Sequence, residues 1–136
     1  MWGSIDARVE AIAGDVAEPR LGLDPAAYAA LVRNVQAVFH CAAHVSSTLP
    51  YAALRAANVA GARCAATLAV RAGAPLHHVS TVVCVRPGHA ETLEVSADGL
   101  ALRSGYAQSK WVAERVVREV MGLGAHSQVQ DRIPFS

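Results

Sequence analysis

The chain has 136 residues, 53% hydrophobic and 17% charged, with a net charge of +1. That is enough for one domain with a buried core and too little for two. The composition excludes disorder, and the scattered, nearly balanced charges form no basic patch that would collect nucleic acid or an anionic membrane.

Three cysteines, Cys41, Cys64 and Cys84, are widely spaced with no Cys-x-x-Cys pair. No basic-then-apolar leader opens the chain, and no apolar run approaches the roughly 20 residues of a membrane span, so reduced thiols in the cytoplasm are expected. Residues 9–13 read as a short buried strand broken by Gly14-Asp15, which puts Asp15 at a strand tip. Asp24-Pro25 is an N-cap followed by Pro at the first helical position, so a helix is predicted over 25–35. A second strand follows at 37–41. An alanine-rich helical stretch occupies 51–72, with Gly61 inside it and Gly73-Ala74-Pro75 closing it. Residues 78–85 form a third apolar strand carrying the hydroxyl pair Ser80-Thr81, and 86–104 a long loop. From 106 to 121 the apolar residues Val112, Ala113, Val116, Val117, Val120 and Met121 make one helical stripe, while Glu114, Arg115, Arg118 and Glu119 are expected to face away. Strand and helix thus alternate, and strands apolar along their whole length imply a parallel sheet covered by helices. Ligands of such sheets lie beyond the carboxyl ends of the strands, where Asp15, residues 41–44 and Ser80-Thr81 fall.

Tyr106 and Lys110 stand four apart at the head of the last helix and share a face. An ammonium one turn from a phenol, whose ordinary pKa is about 10, favours the anion and makes the phenol a usable general acid. Tyr-x-x-x-Lys alone occurs by chance on many helices. Here Thr81 comes 25 residues earlier at a strand tip, where its hydroxyl can reach the oxygen that Tyr106 protonates. His40 and His44 suggest a zinc pair, but they straddle a strand end and no third ligand has suitable spacing, so no metal is expected. Asn58 is either a helix cap or a backbone anchor at the site. Cys64 and Cys84 read as core residues.

Several stretches carry a resemblance: Val-Glu-Ala-Ile-Ala-Gly-Asp-Val at 9–16, Glu-Pro-Arg-Leu-Gly-Leu at 18–23, Val-Phe-His-Cys-Ala-Ala-His-Val at 38–45, Asn-Val-Ala-Gly at 58–61, His-Val-Ser-Thr at 78–81, and Tyr-Ala-Gln-Ser-Lys-Trp-Val-Ala-Glu at 106–114. In order and spacing they resemble the extended short-chain dehydrogenases/reductases, and within them the thioester reductase domains. Such domains close nonribosomal peptide synthetases, carboxylic acid reductases and aminoadipate reductase, and are similar to fatty acyl-CoA reductases. The resemblance implies an α/β fold, a partial Rossmann-type doubly wound parallel sheet missing its first βαβ unit. It implies Thr81, Tyr106 and Lys110 as catalytic residues. Asp15, Val16, Ala42, Ala43 and Ser80, with Tyr106 and Lys110 again, would hold NADPH. The implied partner is an acyl or peptidyl carrier protein bearing a phosphopantetheine thioester, reduced to aldehyde or alcohol.

A dinucleotide fold of this class opens with a glycine-rich phosphate turn, and no such turn is present. The chain begins at what resembles the third strand, and residues 124–132 are too polar for the next buried one. Residues 1–121 are therefore expected to be a partial NAD(P)-binding reductase domain truncated at both ends, and 122–136 a polar tail outside the family. A sugar-nucleotide epimerase or dehydratase using the same triad, and a non-catalytic remnant, stay open at this point.

Overall fold

The computed structural model describes residues 9–81, 102–122 and 132–133. Cys84, residues 82–85 of the predicted third strand and most of the predicted loop lie outside them. In chain order the elements are a turn at Pro19–Gly22, α1 (Pro25–Asn34), β1 (Val38–His40), α2 (Tyr51–Arg55), a π-helical segment (Ala56–Ala60), α3 (Gly61–Ala72), β2 (Leu76–His78), β3 (Ser80–Thr81), α4 (Gly105–Val120) and β4 (Arg132–Ile133).

The helix ends follow local chemistry. Asp24 accepts from the amides of Ala26 (2.9 Å) and Ala27 (3.0 Å), two of the donors a helix start leaves unpaired, and Pro25 needs no such partner. Gly73, in the left-handed region at φ 63°, closes α3, and Ser104 caps α4 by accepting from the Ala107 amide.

β1 and β2 pair in parallel with Val38 opposite Leu76, Phe39 opposite His77 and His40 opposite His78. Strand side chains alternate between faces, so this register creates two stacked aromatic pairs on opposite sides. Phe39 and His77 stack at 4.5 Å on the open face, where Phe39 is 68% exposed. His40 and His78 stack at 5.2 Å and are both buried. β3 pairs in parallel with β4, a two-residue ladder that no periodic pattern in the polar 122–136 stretch announces. The core lies between α3 and α4, where Ala62, Ala66, Ala113 and Val117 meet and Leu76, Val120 and Met121 close the edge. Small side chains at those crossing points let the two helices approach closely.

The architecture is α/β with a small parallel sheet and helices packed on it, as expected. Residues 9–13 depart from expectation. They form no strand, and Val9 and Ile12 are 60% and 53% exposed, because no neighbouring strand among the described residues offers a ladder. The 51–72 stretch is helical throughout but passes through a π-helical turn at residues 56–60. No described helix is long and apolar enough to cross a membrane.

Candidate functional site

α4 and β3 pack together and carry four of the residues singled out in the sequence, Ser80, Thr81, Tyr106 and Lys110. Lys110, only 3% exposed, extends its Nζ to the carbonyl oxygen of Val79 at 2.7 Å. One turn further along α4, fully buried Glu114 accepts a hydrogen bond from the Ser80 hydroxyl. Two successive residues, Val79 between β2 and β3 and Ser80 at the start of β3, are thus tied to two successive turns of one helix. Half-buried Tyr106 lies on the same stripe one turn before Lys110. Thr81 follows Ser80 in β3 and is fully buried.

Glu114 corrects the expectation of a solvent-facing side chain. The signal was present in the sequence, because residues 106, 110 and 114 share one face at intervals of four and the stripe of interest includes a carboxylate.

Asn58 is no helix cap. It sits in the π-helical turn, which rotates it inward, and it is 1% exposed. Its Oδ1 accepts from the His44 amide (2.6 Å), and its Nδ2 donates to the His44 carbonyl (3.1 Å) and to the Ser109 hydroxyl (2.9 Å). Ser109 in turn donates to the Tyr106 carbonyl at 2.8 Å. One amide therefore fixes the loop after β1 to the head of α4. Insertions of a single π turn recur at functional positions for this kind of reason.

Gly105 is demanded by contact. A Cβ there would come within 2.4 to 2.6 Å of backbone atoms of Leu49, Pro50 and Tyr51, so the start of α4 lies directly on the start of α2.

The loop after β1 presents Ala42 and Ala43 as exposed small side chains, with Cys41 and His44 beside them. Asp15, also exposed, uses its Oδ1 to accept from the Ala17 amide (2.8 Å), while its own amide donates to the Leu21 carbonyl (2.9 Å). Half-buried Val16 lies over Gly61 at the start of α3, where an added Cβ would come within 3.3 Å of its Cγ2. The described structure gives no single contact that joins Asp15 to Tyr106 or Lys110.

Under Lys110 lies the stacked pair His40 and His78. Burial first, and then the Lys110 charge, push His40 down to about 4 and His78 to about 3, the charge of His40 adding to the latter. Among the described residues, His40 Nε2 and both ring nitrogens of His78 have no hydrogen-bond partner. Burial and the Lys110 charge thus hold both imidazoles in the neutral form near neutral pH. Among the described residues no three His, Cys, Asp or Glu side chains gather where they could hold a metal ion. Cys64 is not a core residue: it is half-buried, and its thiol donates to the Glu18 carbonyl at 3.4 Å.

The NAD_binding_4 family model, described as male sterility protein, matches residues 1–126. The chain belongs to this family of NAD-binding domains. Male sterility family relatives include glycine betaine reductase ATRR of Emericella nidulans, 40% identical over 126 residues, and isonitrile lipopeptide synthase of Streptomyces coeruleorubidus, 42% identical over 121. The alignments take in 88% and 86% of this chain but only 10% and 8% of those proteins. Among solved structures, the terminal R domain of the myxalamid PKS-NRPS biosynthetic pathway superposes with a TM-score of 0.68 at 36% identity, over 84% of this chain and 30% of that one. The chain therefore corresponds in fold to part of that Rossmann-like R domain, and a nicotinamide cofactor goes with the family. One of these relatives is named a reductase and the other a lipopeptide synthase, which disfavours the sugar-nucleotide reading.

Proposed function

We propose that this chain is the catalytic segment of an NADPH-dependent thioester reductase acting in the cytoplasm on an acyl or peptidyl group carried as a phosphopantetheine thioester. Residues 1–121 would supply the domain portion, and the family match runs on to residue 126. The observation that carries the reading is the α4–β3 seam, where Tyr106 and Lys110 share the stripe that packs on the strand bearing Ser80 and Thr81.

When bound, the nicotinamide cofactor would supply the hydride that the thioester carbonyl carbon accepts. As that carbon turns tetrahedral, negative charge grows on its oxygen, and donors already in place lower the barrier most. Tyr106 gives its phenolic proton to that oxygen, and Thr81 donates a second hydrogen bond to it. The resulting hemithioacetal collapses to aldehyde and free thiol. Lys110 stabilises the tyrosinate left behind and holds the nicotinamide ribose. Its carbonyl tether to Val79 gives the ammonium a fixed starting position.

The strand tips support the adenosine half of the cofactor. Ala42 and Ala43 are small and exposed on a loop anchored from beneath by Asn58, so a flat ring system meets no bulk there. Asp15 and Val16 would meet the adenine, and Ser80 would border the pocket.

The test is NADPH consumption coupled to aldehyde release from an acyl thioester of phosphopantetheine, measured on the protein that carries this segment. Tyr106→Phe and Lys110→Ala are each expected to lower kcat about 10²- to 10⁴-fold while the fold, followed by circular dichroism, persists. Undiminished turnover in Tyr106→Phe would end the proposal.

A further inference from the structure

A cleft of about 450 Å³ opens on the opposite flank of α3 from α4, between that helix and the Pro19–Gly22 turn. Arg20 from the turn and Arg63, Thr67 and Arg71 from α3 line it, with Tyr28 of α1 at its base. Residues 63, 67 and 71 stand at intervals of four, so both helical guanidiniums lie on the stripe that faces the cleft. Arg71 lies 5.8 Å from the centre of the Tyr28 ring, which fixes one guanidinium over an apolar floor.

Two features mark this cluster as more than a solvated face. First, none of the three guanidiniums is ion-paired with a carboxylate among the described residues. Glu18, whose charge bears on Cys64 beside the cleft, pairs with none of them. Second, Arg20 sits at φ 55° and ψ 28°, in the left-handed region, and Leu21 follows at φ 59°. Glycine takes that conformation freely, as Gly22 does next door, whereas a side chain there is strained. The turn holds it by three backbone bonds: Asp15 amide to Leu21 carbonyl, Leu21 amide to Glu18 carbonyl and Leu23 amide to Arg20 carbonyl. Gly14 makes the first possible, since a Cβ there would fall 2.5 Å from the Leu21 oxygen. Strain kept at a residue whose side chain lines the cleft points to a use for that side chain.

We propose that the Arg20–Arg63–Arg71 cleft binds a phosphate-bearing anion, at a site separate from Tyr106 and Lys110. Guanidinium forks match phosphate oxygens in pairs, and the volume suits a small ligand that brings one phosphate and a short organic tail. Inorganic phosphate and 4′-phosphopantetheine are two sources of the same chemistry. The site does not depend on the reductase reading, because none of its residues belongs to the catalytic seam.

Titration calorimetry on the full chain with inorganic phosphate, 4′-phosphopantetheine and phosphate-free pantetheine tests it. Saturable one-to-one binding of a phosphate-bearing probe is expected, with pantetheine silent. Tighter binding of 4′-phosphopantetheine assigns the site to the organic ligand, and equal binding assigns it to the free ion. Arg63→Ala combined with Arg71→Ala should remove binding. Arg20→Gly is the decisive variant, because glycine relaxes the turn and preserves the fold while one guanidinium is lost; affinity should fall at least about tenfold. No saturable binding to either phosphate probe, equal binding of pantetheine, or unchanged affinity in Arg20→Gly would overturn the proposal.

Discussion

Gly105 precedes Tyr106 and is pressed against the backbone that opens α2, so a single methyl group there acts on the site through position alone. The atoms it would strike are main chain and cannot swing aside. Gly105→Ala is therefore expected to lift the head of α4, lower stability by about 1–3 kcal/mol and lower turnover about 10²-fold, the usual penalty for displacing a reacting group by an ångström. A thermal melt and an aldehyde assay check the two effects, and an unchanged melt would mean that the helix start shifts without cost. The hydroxyl pair makes a second residue-level test. Ser80→Ala removes a donor from buried Glu114 and should cost about 1–3 kcal/mol of stability. Thr81→Ala should instead act on rate, by about 10²- to 10³-fold, if its hydroxyl faces the developing oxyanion. Rate loss in Ser80→Ala alone would transfer the role to Ser80.

At the scale of elements, Asn58 is the junction of the π-helical turn, the loop after β1 and α4. Asn58→Ala removes the partner of the His44 amide and carbonyl and one donor to the Ser109 hydroxyl at once, so a loss of about 1–3 kcal/mol is expected. Hydrogen exchange should then quicken at residues 42–45 while α1, which shares none of these bonds, stays protected. Uniform quickening would show a global role instead. How much of this was visible in the sequence depends on range. The cap Asp24-Pro25, the stripe of α4 and the Gly73-Ala74-Pro75 stop were legible because each is decided by residues within a turn or two of one another. The hydroxyl strand tip and the Tyr106–Lys110 face were legible for the same reason. The 9–13 segment was misread because an apolar run becomes a strand only beside another strand. Glu114 was misplaced because charge was taken to mean solvent, whereas its partner Ser80 lies 34 residues away along the chain. The arginine cleft was invisible for a similar reason: Arg20 and Arg71 meet only after α1 and α3 have packed.

For the molecule as a whole, the stacked histidines between sheet and helices set a limit on acid tolerance. In the unfolded chain each titrates near 6.5, while in the fold His40 is held down to about 4 and His78 to about 3. Above pH 6.5 both states are neutral and stability is complete. As pH falls below 6.5 the unfolded chain takes up protons that the fold refuses, so stability drops by about 1.4 kcal/mol per pH unit for each histidine. The loss runs to about pH 4 for His40 and about pH 3 for His78, below which the fold protonates too. Lys110 sharpens the effect, because a proton on either ring would stand beside an ammonium that Val79 holds in place. Melting temperature measured between pH 7.5 and 4.5 should fall steeply for the native chain and much less for His40→Leu combined with His78→Leu, which keeps the volume and removes the proton sites. Carboxylates common to both proteins contribute equally and cancel in the difference. Parallel pH profiles for the two would show that the imidazoles find hydrogen-bond partners in solution and that the pair is not the acid-sensitive element of the fold.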